Sequence, residues 1–298
     1  MSLLTLDQAQ FYDLLNEAMV EQRGFAAGKM GYSEQALLRY PLIQANFSRK
    51  QTSAYEIFLR HHCEYQTGVY PTMPSFLGQF SRFYAQSYNL LDALGLFGNP
   101  QEQEILKAYQ WSCKQMNYLA MEPIRQVDAM QRKCYLTLFQ DKKILILSPF
   151  AKFLQARASK DIYEQAWNKI EKKWFYPKSI QSIEFPYSYK AAKPEQSAFK
   201  NSIELFDYIC QKINQLDFDV ALIGAGALGI PLATHIKSLD KIGLSLGGHL
   251  QVIFGVSGAR WKNDPEWVNG YLNEYWVDVP PNYHPPLKKR LTDGGAYW

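Results

Sequence analysis

The chain has 298 residues, enough to bury a sizeable core as one large α/β domain or two small ones. A hydrophobic fraction of 47% with 20% charged residues is that of a globular protein. The net charge of +4, spread without a basic stripe, argues against nucleic acid as a partner. No apolar run reaches the roughly 18 residues of a membrane span, and the N-terminus lacks a basic-then-apolar signal. The protein is therefore expected in the cytoplasm, at most peripheral at the inner membrane.

Cys63, Cys113, Cys134 and Cys210 are widely scattered, which predicts free buried thiols. The five histidines form no zinc-binding spacing, so no metal ligands are written by pattern. Aromatic residues make up 15% of the chain, a content that serves core packing and is compatible with sugar-stacking surfaces.

In chain order, Thr5-Leu6-Asp7-Gln8 has capping-box spacing, and Phe11, Leu14, Leu15 and Met19 follow at helical intervals. Next, an apolar segment at residues 24–27 runs into a polar glycine turn from Gly28 to Glu34. Ser33 is placed there to cap a helix through Ala36, Leu37 and Leu38, which makes an early strand–turn–helix. Phe76, Phe80, Phe83, Ser87, Leu90, Leu91 and Leu94 share one helical face that Gly95 would end. Ile105, Ala108, Ser112, Met116 and Leu119 share another. Residues 1–140 thus read as a helix-rich part.

Lys142 to Leu147 reads as a buried parallel strand ending in the turn Ser148-Pro149-Phe150. Ile180 to Phe185 is a weaker strand, and Phe199, Ile203, Phe206, Ile209 and Ile213 form a helix. The alternation over 141–260 predicts an α/β protein: a Rossmann-like parallel sheet flanked by helices, with a helix-rich N-terminal half. Residues 261–298, rich in Trp, Tyr, Pro and Asn, read as an extended C-terminal arm. Asp278, His284 and Asp293 lie in it, and Lys288-Lys289-Arg290 reads as a solvated run.

The densest signal is Asp219-Val-Ala-Leu-Ile-Gly-Ala-Gly-Ala-Leu-Gly-Ile-Pro. An apolar strand enters a glycine turn, and Gly224, Gly226 and Gly229 let backbone N–H groups at a helix N-terminus approach an anion. A dinucleotide site would also need an acidic residue after the next strand. That strand, Ile242 to Leu246, instead ends in Gly247-Gly248-His249. Pro231 fits only the first turn of the helix, which places its start late.

Residues at the carboxyl ends of such strands are the site candidates. Gly28, Lys29, Gly31, Ser148, Gly224, Gly226, Gly229, Gly247 and Gly248 would shape or complement a phosphate. His249 and Gln251 would hydrogen-bond phosphate or sugar hydroxyls. Arg260 would pair with a diphosphate, and Trp261 would stack on a base or sugar, or pin the arm to the domain. Glu34, just beyond a glycine turn, is the candidate general base; its other reading is a first-turn helix glutamate.

Taken together, Gly28-Lys29-Met30-Gly31-x-Ser33-Glu34, the Lys-Ile-Leu-Ile-Leu-Ser-Pro-Phe strand, the glycine turn, Leu246 to Gly255 and Gly294-Gly295-Ala296-Tyr297-Trp298 resemble bacterial proteins of the GT-D glycosyltransferase fold, in a branch linked to surface polysaccharide loci. The resemblance implies transfer of a sugar from a nucleotide-activated donor to a glycan or lipid-linked acceptor, with no tightly bound organic cofactor. It also implies a divalent cation, Mn or Mg, held by an acidic motif. Here the early motif keeps the glycine and glutamate but lacks the family's aspartate, and no D-x-D or D-x-E triplet adjoins the glycine turn. Two other functions stay open: a different nucleotide-cofactor enzyme, such as an NAD(P) dehydrogenase or a methyltransferase, and a non-catalytic partner in glycan assembly.

Overall fold

The computed structural model describes residues 6–122, 134–187, 198–285 and 295–298. Thr5, Lys288-Lys289-Arg290 and Asp293 lie outside them. Seven strands form one parallel sheet: β1 (Phe25–Lys29), β2 (Ala93–Leu96), β3 (Lys114–Asn117), β4 (Lys143–Leu147), β5 (Ser179–Ile183), β6 (Val220–Ile223) and β7 (Ile242–Ser245). Their order is β3-β2-β1-β7-β6-β4-β5. β1 sits between β2 and β7, with Ala27 opposite both Ala93 and Leu244. The fold is Rossmann-like, and its sheet draws strands from both halves of the chain.

The inner strands are apolar on both faces because each face meets a different core. In β4, Ile144 and Ile146 enter one cluster, whereas Leu145 and Leu147 enter the other. β6 does the same with Val220 and Leu222 against Ala221 and Ile223. This period of two fixes the register, since a one-residue slip would exchange the faces.

On the first face lie α1 (Gln8–Val20), α6 (Ala151–Arg157), α7 (Lys160–Ala166), α10 (His249–Ile253), α11 (Ala259–Lys262) and α12 (Pro265–Gly270). The second face carries α2 (Tyr32–Asn46), α3 (Arg49–His62), α4 (Pro74–Tyr88), α5 (Pro100–Tyr109), α8 (Ser202–Ile213) and α9 (Gly229–Lys237). α9 packs closely on β1 and β7. A Cβ on Gly243 would stand 2.5 Å from the Ala233 carbonyl oxygen, so only glycine lets helix and strand meet there. β8 (Val256–Ser257) and β9 (Val277–Asp278) make a separate parallel pair in the C-terminal part.

Two expected helical faces are corrected. The face through Leu94 is not one helix: α4 stops at Tyr88, and Gly95 lies inside β2 rather than at a helix end. Tertiary bonds favour the strand, because Asp92 accepts the Ala26 N–H at 2.8 Å and pairs with Lys237 at 2.9 Å. The second helical face also breaks. α5 ends at Tyr109, capped by Gln110 with a left-handed φ of +51°, and Met116 is the one buried residue of the edge strand β3.

The first helix forms as expected, although its capping box pairs Asp7 with Gln10. Ser33 is not a cap. α2 starts from Gly31, and the Ser33 hydroxyl donates to Gln66 Oε1 at 2.6 Å. All four cysteines are buried free thiols. Among the described residues no helix is long and apolar enough to cross a membrane.

Candidate functional site

The chain leaves β1 toward α2 on one face and leaves β7 toward α10 on the other. Neighbouring strands whose connections part in this way open a crevice at their carboxyl ends, where open α/β sheets bind ligands. A cavity of about 490 Å³ occupies this crevice, a size suited to a small organic ligand.

The glycine turn after β6 forms part of the cavity wall. Gly226 has φ +50°, and a Cβ there would lie 2.7 Å from the Thr67 carbonyl oxygen, so a side chain is excluded twice over. A 3₁₀ turn, Gly226–Leu228, then leads into α9, with Pro231 in the first turn of the helix. The positive end of α9 therefore lies at the cavity edge of the sheet. Gly224 and Gly247 also line the cavity, but their N–H groups donate to Leu147 O (2.8 Å) and Ile223 O (3.2 Å). They shape the wall, and these N–H groups are already engaged within the sheet.

Gly28 and Gly229 do not line the cavity. They lie below it, where the Ile230 and Ser245 side chains close on them. Ser148 is buried at the end of β4, at the cavity edge, and its hydroxyl accepts the Phe150 N–H at 3.3 Å.

Three titratable residues meet on one side. The Lys29 ammonium bonds His249 Nδ1, and His249 Nε2 lies 2.7 Å from Glu122 Oε1. An ammonium can only donate, so Nδ1 accepts and Nε2 carries the proton given to Glu122. His249 is thus a neutral relay in one tautomer. Burial pushes its pKa down to about 4, Lys29 adds to the effect, and the Glu122 hydrogen bond opposes it. Burial likewise brings Lys29 down to about 8. Glu122 is the strongest opposing influence, Arg260 depresses Lys29 further and Glu34 supports its charge.

The remaining candidates divide. Glu34 stands in the first turn of α2, as its second reading has it, and lines the cavity with its carboxylate folded over Gly31. Arg260 stands at the cavity with its guanidinium 5.0 Å from the centre of the Tyr297 ring. Gln251 also reaches the lining but is 1% exposed, and its amide nitrogen donates to Ser257 O and Tyr297 O. It clamps the C-terminal segment and has no amide proton left for a ligand. Of the two readings of Trp261, its surroundings favour packing: it is 2% exposed and its ring contacts His249 and Trp267. In the arm, Asp278 pairs with Lys262 and His284 bonds the Val279 carbonyl oxygen.

No family model, curated protein or solved structure matches this chain.

Sequence reasoning missed Glu122, Tyr118 and Phe97, which also line the cavity. None stands in a motif. Each follows a strand that was itself hidden, β2 or β3, and only sheet order brings them beside His249 and Glu34. The divalent cation implied by the resemblance would need a set of oxygen or imidazole ligands. Among the described residues, no three His, Cys, Asp or Glu side chains converge on a metal position. Of the lining carboxylates, Glu122 is bound to His249 and Asp264 caps α12.

Proposed function

We propose that this protein is a glycosyltransferase-like enzyme that uses a nucleotide-activated sugar, in the building of surface polysaccharide or a glycoconjugate. One observation carries the reading: a glycine turn at a helix start, two cationic side chains from distant segments and a carboxylate all open on one crevice of a parallel sheet. In this reading Lys29, Arg260 and the turn ahead of α9 hold the diphosphate of the donor. Glu34 accepts the proton of the acceptor hydroxyl as its oxygen bonds the anomeric carbon. The bond from that carbon to the phosphate oxygen breaks, and the nucleoside diphosphate departs with the electron pair. Charge growing on the leaving group is met by Lys29 and Arg260.

A thermal-shift panel of nucleotides, nucleotide sugars, NAD(P) and S-adenosylmethionine, with and without Mn²⁺ or Mg²⁺, tests the reading. A ligand of the native state raises the melting temperature by mass action. Stabilisation by nucleoside diphosphates or their sugars is expected. A response to NAD(P) or S-adenosylmethionine alone would replace this reading with a redox or methyl-transfer function.

A further inference from the structure

Opposite the glycine turns, the cavity is lined by a stack of three rings drawn from the ends of three neighbouring strands. Tyr32 follows β1, Phe97 follows β2 and Tyr118 follows β3. Ring centres are 4.6 Å apart between Tyr32 and Phe97, and 4.3 Å between Phe97 and Tyr118. The outermost ring, Tyr32, is 62% exposed. A large aromatic side chain held in a stack and left open to a cavity is contributing little to the core.

The stack is braced from beneath. Glu102, fully buried, accepts the N–H groups of Phe97 (2.9 Å), Gly98 (2.7 Å) and Asn99 (3.1 Å). Gln35, one turn along α2 from Tyr32, donates to the same carboxylate at 3.3 Å and to Met30 O at 3.4 Å. The segment carrying Phe97 and the helix carrying Tyr32 are thereby tied together, which fixes a surface before any ligand arrives.

The geometry points to this stack as the acceptor subsite, with Tyr32 the platform on which the apolar face of a saccharide ring lies. The inference rests on the donor reading above, and the position of Glu34 decides the occupant. Residues two apart on a helix point apart, but the Glu34 carboxylate folds back over Gly31, next to Tyr32 in the chain, and both side chains line the same cavity. A ring lying on Tyr32 therefore presents its hydroxyls toward the proposed base. In a nucleotide sugar, the base is separated from the reacting carbon by a ribose and two phosphates. It belongs at the far end of the cavity from Glu34, and a saccharide acceptor belongs at this one.

Saturation-transfer NMR with cellobiose, maltose, lactose and chitobiose tests the assignment on the wild-type chain and on Tyr32→Ala, Phe97→Ala and Tyr32→Phe. Thermal shifts with UDP and dTDP are read on the same samples. At least one disaccharide should bind the wild type and Tyr32→Phe, and bind the two alanine variants about three- to tenfold more weakly, the range expected for one lost ring contact. The nucleotide shifts should be equal in all four proteins. Absence of binding by every disaccharide, or equal binding by Tyr32→Ala, overturns the subsite. So does loss of the nucleotide shift in Tyr32→Ala, which would make the ring a base platform. Saccharide binding that depends on Tyr32 in a protein showing no nucleotide shift supports the subsite and overturns the donor reading alone.

Discussion

Replacing Glu122 by Gln tests the relay behind Lys29 with little change of shape. The glutamine still accepts the His249 proton at 2.7 Å, but the negative charge is gone. Across the imidazole the two charges are about 7 Å apart, and at an effective dielectric of about 20 their attraction is about 2 kcal/mol. Its removal lowers the Lys29 titration by about 1.5 pH units, from about 8 in the native protein to roughly 6.5. At pH 7.5 the cationic fraction then falls from roughly three-quarters to about a tenth, so apparent affinity for a nucleoside diphosphate drops about eightfold if only the cation binds. At pH 5.5 both proteins carry the charge and should bind alike. Titration calorimetry with UDP between pH 5.5 and 9 reads the two midpoints directly. Coincident pH profiles, with or without a uniform loss of affinity, would refute the relay.

Three further outcomes are expected. Glu34→Gln should reduce transfer by at least about 10²-fold, the usual contribution of a general base, with an unchanged melting temperature and nucleotide shift; turnover by the folded variant would remove Glu34 from that role. Gly226→Ala places a Cβ at φ +50° and 2.7 Å from Thr67 O, costing about 2–4 kcal/mol and lowering the melting temperature by roughly 5 to 10 °C. Calorimetric scans of that variant check the figure. His249 has a native pKa near 4 against an ordinary 6.5, so the unfolded chain binds the extra proton between those values. Its share of stability is present above pH 6.5 and is lost as pH falls to 4, up to about 3 kcal/mol. Melting curves of His249→Gln should lack that part of the acid sensitivity.

The C-terminal half of the sheet was legible because β4, β6 and β7 are apolar runs bounded by turn residues, and buried parallel strands read that way. β2 and β3 were not. Within β2, Leu94 continues a helical spacing by coincidence, and β3 (Lys-Gln-Met-Asn) is an edge strand with a single buried side chain. The site followed the same division. Lys29, Glu34, the glycines and Arg260 stand in motifs, and all but Gly28 and Gly229 reach the cavity. Glu122 and the ring stack owe their positions to strand order, which no local pattern encodes. The burial of Trp261 and Gln251 was hidden for a different reason. Sequence gives the chemistry of a side chain but not its exposure: Gln251 bonds the Tyr297 carbonyl oxygen, and Trp261 packs between His249 and Trp267.

The pairing of β1 with β7 has a consequence for how the molecule comes into being. Lys29 and His249 are 220 positions apart, and β1 has only one of its two neighbours until residues 242–245 emerge from the ribosome. Until then a nascent chain carries an unpaired apolar edge, the kind of surface that invites association with other chains. Contacts of such long range also slow the search for the native topology. Fragments cut between β3 and β4 should therefore be sticky and inert separately, and should regain the crevice only when the two pieces are refolded together.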